Sequence, residues 1–141
     1  MQELNEITHE KIKSVCADGD AFAAKKNYSD AVDCYTKAWE LVPDPKENWN
    51  ASTWILVALA DAYFLAGAKE AALEALQNAL RCPNAIGNPF IHMRYGQTLF
   101  DLGNQELAAD ELTRAYMGGG ESIFASEDVR YMQFLKSKIK T

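Results

Sequence analysis

The stretch GDAFAAKKNYSDAVDCYTKAWELVP, residues 19–43, decides the fold because its pattern returns twice. ADAYFLAGAKEAALEALQNALRCP occupies residues 60–83, and GQTLFDLGNQELAADELTRAY occupies 96–116. In each, a small residue (Gly19, Ala60, Gly96) precedes a large apolar one three positions later (Phe22, Tyr63, Leu99). A break follows near Asn27, Gly67 and Gly103. A small–large–small triplet comes next: Ala31, Tyr35, Ala38; Ala72, Leu76, Ala79; Ala108, Leu112, Ala115. Small residues spaced this way let two antiparallel helices approach closely, and the large residue fills the gap beside them. Glycine at the break supplies a left-handed cap, and Pro43 and Pro83 stop the second helix of the first two units.

Composition agrees with an all-helical chain. Of 141 residues, 48% are apolar and 24% charged, enough to bury a core. There are only 4 prolines and 8 glycines, and no run alternates β-branched with polar residues. A net charge of −6 argues against nucleic acid or an anionic membrane as the main partner. The basic tail Lys136, Lys138, Lys140, with Arg130 before it, reads as the cations of a final helix end. The amphipathic start MQELNEITHEKIKSV lacks the apolar core of a signal peptide, and no segment is apolar enough to span a membrane. A reduced, cytoplasmic protein is the expectation. Without secretion, the sequons at Asn27 and Asn50 are chance matches.

The repeated pattern resembles the tetratricopeptide repeat (TPR), a helix–turn–helix unit of about 34 residues. The resemblance covers about residues 12–117 and extends to small single-domain bacterial TPR proteins, through NPFIHMRYGQ and the tail GGGESIFASEDVRYMQFLKSKI. It implies an all-α solenoid: three TPR helix–turn–helix units, an extended first helix and a C-terminal capping helix. On this reading residues 1–141 form a single TPR domain, with repeats at about 12–45, 52–85 and 88–118 and a capping helix at about 126–140. Spacing departs from the family's regularity. From Ala31 to Ala72 is 41 positions and from Ala72 to Ala108 is 36, the first excess being PDPKENWN. Val15, Asp18, His92 and Tyr95 stand where the family places a tryptophan-like residue or a leucine.

Capping residues predict the helix boundaries. The first helix is expected over about 3–26, the second with Ser29 as cap, and the third from Asn50 or Ser52. The fourth is expected over Ala68 to Arg81. Asn88 caps the fifth, with Pro89 in its first turn, and Asn104 caps the sixth. The run GGG at 118–120 reads as a flexible hinge, and Ser126 with Glu127 and Asp128 opens the seventh helix. Trp49 is either an exposed contact or a hydrophobic staple onto the third helix.

No reaction can be argued from these residues. His9 and His92 fall in different units, and neither has an Asp or Cys at metal-ligand spacing. Cys16, Cys34 and Cys82 show no CxxC spacing; Cys34 and Cys82 read as small core residues and Cys16 as the more accessible thiol. No nucleophile elbow or phosphate loop is present, and no cofactor or metal is expected.

The resemblance implies a concave groove lined by the first helix of each unit. Its positions here are Lys13, Cys16, Asp20 and Ala23; Trp54, Val57, Ala58, Asp61 and Phe64; and Phe90, Met93, Arg94, Gln97 and Phe100. TPR proteins that clamp acidic chaperone tails use Lys, Asn and Arg at positions occupied here by Cys16, Asp20, Ala58, Phe90 and Arg94. Only Arg94 agrees, and Asp20 would repel a carboxylate, so an acidic-tail clamp is not expected. The apolar, aromatic groove with its arginine has the composition of an interface. The expected function is non-enzymatic binding of a polypeptide partner. Two alternatives stay open. One is an immunity-type protein masking a basic toxin domain, for which an acidic binder is suited. The other is self-coverage or homodimerisation through the groove.

Overall fold

In the computed structural model, residues 4–139 are described. Among them there are seven α-helices, two 3-10 turns and no strand. The helices are α1 (Glu6–Ala24), α2 (Tyr28–Leu41), α3 (Asn50–Ala66), α4 (Lys69–Ala79), α5 (Pro89–Asp101), α6 (Gln105–Gly119) and α7 (Val129–Lys138). The turns are η1 (Lys46–Asn48) and η2 (Glu121–Phe124). None of these helices is long and apolar enough to cross a membrane. The expected first and last helix residues, Glu3 and Lys140, lie outside the described residues. The chain divides into two compact units, Met1–Ala85 with α1–α4 and Ile86–Thr141 with α5–α7.

Helical hairpins build both units: α1 packs on α2, α3 on α4, and α5 on α6. Their turns share one geometry. A residue with positive φ (Lys26 at 62°, Gly67 at 87°, Gly103 at 90°) is followed by an amide that reaches back into the first helix. Asn27 N–H donates to the Phe22 carbonyl, Ala68 N–H to Tyr63 and Asn104 N–H to Leu99, each at 2.9 Å. The three acceptors are the large apolar residues of the repeated pattern. In the first hairpin a lysine holds the left-handed position that glycine takes in the others, a conformation that is uncommon for residues with a Cβ.

Close approach explains the small residues. A Cβ added to Gly19 would stand 2.7 Å from the Tyr35 ring, and one added to Gly96 would stand 2.7 Å from Leu112 Cγ. Ala31, Tyr35 and Ala38, the triplet of α2, are all buried, as are those of α4 and α6. α3 is apolar around its circumference, with Asp61 its single charged residue. Such a helix needs cover on several sides, and in the first unit α1, α2 and α4 all pack against it.

Five of the seven helices start at a short polar cap, while α3 and α4 follow Trp49 and Ala68 with no side-chain cap. Asn5, Asn88, Asn104 and Asp128 accept amide hydrogen bonds from the first turns of α1, α5, α6 and α7. Three expected boundaries are corrected. Asn27, not Ser29, caps α2, through Asp30 N–H, because Ser29 already lies in the first turn. Asp128 caps α7, while Ser126 lies ahead of the helix. α4 ends at Ala79, and Leu80 to Cys82 form a tight turn in which Cys82 N–H donates to the Ala79 carbonyl. Gly118 and Gly119 are the last turn of α6 rather than a hinge. A Cβ at Gly119 would meet Ile123 at 2.8 Å and Pro89 at 3.0 Å, so the glycines admit the start of α5 beside the end of α6.

The insertion after α2 is structural. Lys46 donates to the Trp39 and Val42 carbonyls at 2.8 and 2.6 Å, placing a cation on the C-terminal end of α2. The Ser52 hydroxyl, the alternative start for α3, donates instead to the Lys46 carbonyl. Trp49 is half-buried, packs on the Ile12–Tyr35–Ile55 core and donates its indole N–H to the Pro43 carbonyl at 2.8 Å. It is a staple rather than a free contact.

Candidate functional site

In the first unit, two adjoining cavities lie along the face made by α1 and α3, over Tyr35 of α2. One, about 510 Å³, is lined by His9, Lys13, Cys16, Ala17 and Asp20 of α1 and by Trp54 and Ala58 of α3. The other, about 350 Å³, is lined by Asp20, Ala23 and Ala24 of α1, Tyr28 of α2, and Ala58, Asp61, Ala62 and Leu65 of α3. Asp20, Tyr35 and Ala58 border both, so the two form one channel. The small residues at 17, 23, 24, 58 and 62 keep it open. Trp54 is 37% exposed at its side. His9 and Lys13 stand toward one end and Asp61 toward the other, with the Asp20 carboxylate where the two cavities adjoin.

The channel floor is polar at one point. The Tyr35 hydroxyl donates to Asp20 Oδ1 at 2.5 Å. Burial first, then the hydrogen bond to Asp20 and the negative charges around the phenol, push the Tyr35 pKa well above its usual value. Cys16 is buried, contrary to its expected accessibility, while Cys34 is the half-exposed thiol; both are free, as is Cys82. Burial and then the Asp20 charge push the Cys16 thiol from 9.0 to about 11. A folded-state pKa above the unfolded one favours folding while the thiol is protonated. That contribution is complete below about pH 9 and is lost as pH rises toward 11. The thermal midpoint should therefore fall between pH 9 and 11 by circular dichroism, and less steeply in Cys16→Ala. Equal slopes would show that the thiol does not titrate in its burial site.

Sequence reasoning placed Lys13, Cys16, Asp20, Ala23, Trp54, Ala58 and Asp61 on a shared face, and the structure brings these together. Two others are corrected. Val57 packs toward Leu56, Ala79 and Cys82, and Phe64 is buried with the Lys69 ammonium 3.4 Å above its ring. Neither lines the channel. Ala17, Tyr28, Tyr35 and Leu65, not assigned to the site from sequence, do. Their signal was present, since Ala17 and Leu65 continue the helical spacing of Lys13 and Asp61.

In the second unit, the expected groove strip on α5 is covered by the chain's own C-terminal segment. Met93 packs with Leu112, Phe124 and Leu135 and is 1% exposed. Arg94, also buried, donates to Gln97 and to Glu127 Oε1, both at 2.8 Å, and Gln97 donates to the same Glu127 oxygen at 3.0 Å. Phe100 meets the rings of Tyr131 and Phe134, with centroids at 5.8 and 4.7 Å. Asp101 accepts from the Tyr131 hydroxyl and pairs with Arg130. Met93, Arg94 and Gln97 are thus interior residues and Phe100 is half-buried, and the one position that agreed with an acidic-tail clamp, Arg94, is paired with Glu127. Phe90, 36% exposed under the Arg94 guanidinium, keeps the most open face of the strip. Periodicity identified the stripe but carried no signal that Glu127 would meet it.

His92 is also committed. Its Nε2 accepts the Gly87 N–H at 2.9 Å and its Nδ1 lies 2.6 Å from Glu111, which assigns the ring proton to Nδ1. It is a packed histidine that secures the chain ahead of α5. Among the described residues no cluster of His, Cys, Asp and Glu could hold a metal ion. A further cleft of about 610 Å³ runs along η2 and α7, with the Lys136–Glu121 ion pair at 3.1 Å among its lining residues.

No family model matches the chain, and no curated protein matches it. Several solved structures are similar. The Yersinia enterocolitica type III secretion chaperone SycD, in complex with a peptide of the translocator YopD, has a TM-score of 0.72 at 15% identity, covering 94% of this chain and 95% of that one. The Sgt2 TPR domain from Aspergillus fumigatus has a TM-score of 0.68 at 22% identity, covering 90% and 76%. The first TPR of Spaghetti (RPAP3), bound to the HSP90 peptide SRMEEVD, has a TM-score of 0.69 at 20% identity, covering 91% and 90%. At these identities the likeness establishes the fold, an all-α solenoid of TPR-like helical repeats.

Proposed function

We propose that the chain is a non-catalytic protein-interaction module that takes a segment of another polypeptide along the α1–α3 face of its first unit. The observation that carries this reading is the continuous channel there, floored by small residues and flanked by the part-exposed indole of Trp54. Apolar surface with an accessible tryptophan is the composition of interface hot spots. The peptide complexes of SycD and of the first TPR of Spaghetti support the choice of a peptide-like ligand. Lys13, Asp20, Trp54 and Asp61 are the contact residues we assign, with Phe90 a separate candidate in the second unit. An acidic tail is disfavoured by Asp20 and Asp61. Binding to a basic toxin domain and homodimerisation draw no support from the comparisons.

Trp54→Ala tests the assignment. Affinity for a captured partner should fall by on the order of 2 kcal/mol, about thirtyfold. The thermal midpoint should hold, because the indole is not part of the buried core. The checks are quantitative mass spectrometry of pull-downs with wild type and variant, followed by calorimetry on the recovered partner. A partner retained at the wild-type level would take the α1–α3 face out of the binding site.

A further inference from the structure

Resting on that reading, we infer that the acidic end of the channel accepts a lysine or arginine side chain of the bound segment, beside an apolar side chain held against Trp54. The slot has two carboxylates, Asp20 and Asp61, set in walls of alanine, tyrosine and leucine. That combination suits a long cationic side chain. Its methylene stem lies on apolar surface while its charged head meets the acids. A shorter apolar side chain would set hydrocarbon against the exposed Asp20 carboxylate, and an acidic one would be repelled.

Asp20 is positioned for this role. Its one hydrogen bond among the described residues, from Tyr35, fixes the carboxylate and leaves acceptor capacity on an exposed group. The raised pKa of the Tyr35 phenol is due in part to both Asp20 and Asp61, which places the two negative charges in one local field.

The opposite end carries Lys13 and His9, so the channel is electrically polar along its length. Lys13 and Asp20 are seven positions apart on α1, a rise of roughly 10 Å, which an extended segment covers in about three residues. The recognised motif is therefore short: a basic residue within about three positions of a large apolar one. Its polarity is opposite to that of the acidic peptide SRMEEVD bound by the first TPR of Spaghetti.

The test is selection of random dodecapeptides on the full chain, followed by fluorescence anisotropy of synthetic peptides against wild type, Asp20→Asn and Trp54→Ala. Asparagine keeps an acceptor for the Tyr35 hydroxyl, so the fold is retained and the charge alone is removed. Enriched peptides should carry Lys or Arg within three residues of a large apolar residue. Replacing that basic residue by Gln should weaken binding to wild type about tenfold, and should have little effect on binding to Asp20→Asn. Peptides that lose affinity with Trp54→Ala but show no basic preference would overturn this inference and leave the channel as the site. No enrichment, or binding indifferent to Trp54→Ala, would overturn both.

Discussion

Gly96→Val is expected to destabilise the second unit by on the order of 3 kcal/mol. A Cβ at this position would already stand 2.7 Å from Leu112 Cγ, 2.9 Å from its Cδ2 and 3.0 Å from its backbone nitrogen. The backbone atom decides the outcome, since a side chain can change rotamer but the axis of α6 cannot retreat alone. Valine adds two methyl groups to that contact and makes the helix itself slightly less favourable than alanine would. Leu112 is fully buried between α5 and the C-terminal segment, so displacing it also disturbs Met93, Ala115 and Leu135. In urea, with a slope of roughly 2 kcal/mol per molar, the midpoint of the second unit should move down by about 1.5 M. A shift below about 0.3 M would mean that the α5–α6 contact is looser than these distances state. At the matching position of the second hairpin stands Ala60, which is fully buried.

Glu127→Ala should cost about 3 kcal/mol by leaving the Arg94 guanidinium without its carboxylate, with its side chain 6% exposed. Glu127 also accepts from Gln97, so one truncation removes a charged acceptor from two donors. The loss has a ceiling. When the pair is broken, the C-terminal segment can lift from α5 and rehydrate Arg94, so the cost cannot exceed the free energy that docks α7. Hydrogen exchange followed by mass spectrometry should show the amides of 129–138 losing protection first, before those of α5 and α6. Adding Arg94→Met should recover much of the stability, because an apolar side chain of similar length needs no partner. Unchanged exchange in α7 would show that Phe100, Tyr131 and Phe134 hold the segment without help from the ion pair.

Much of the architecture was legible because local chemistry dictates it. The small–large spacing of Gly96 and Leu99, repeated at 19 and 60, specifies helices that must pack closely, and asparagines at 88 and 104 specify where they start. The turn after α1 was readable only approximately. Lys26 takes a left-handed conformation that its side chain does not advertise, so Asn27 rather than Ser29 became the cap. The glycines at 118 and 119 misled in the opposite direction. Glycine is compatible both with a flexible hinge and with close contact in a helix, and only the presence of Pro89 and Ile123 beside them distinguishes the two.

The site divides in the same way. The resemblance to the repeat family implied that Asp20 of α1 and Trp54 and Asp61 of α3 share a groove face, because a helix places residues three and four apart on one side. Sequence also determined that Met93, Arg94, Gln97 and Phe100 share one stripe of α5, and that residues 129–138 have an apolar face needing cover. What those faces would meet was decided by the tertiary structure: Tyr35 bound to Asp20, and Glu127, Tyr131 and Phe134 laid on the α5 stripe. Periodicity is a property of one helix and is written within a few turns of chain. The pairing of Arg94 with Glu127, 33 residues apart, depends on the length and direction of the η2 connection and on which of several apolar faces buries more surface. That competition is settled only when all the helices are present together.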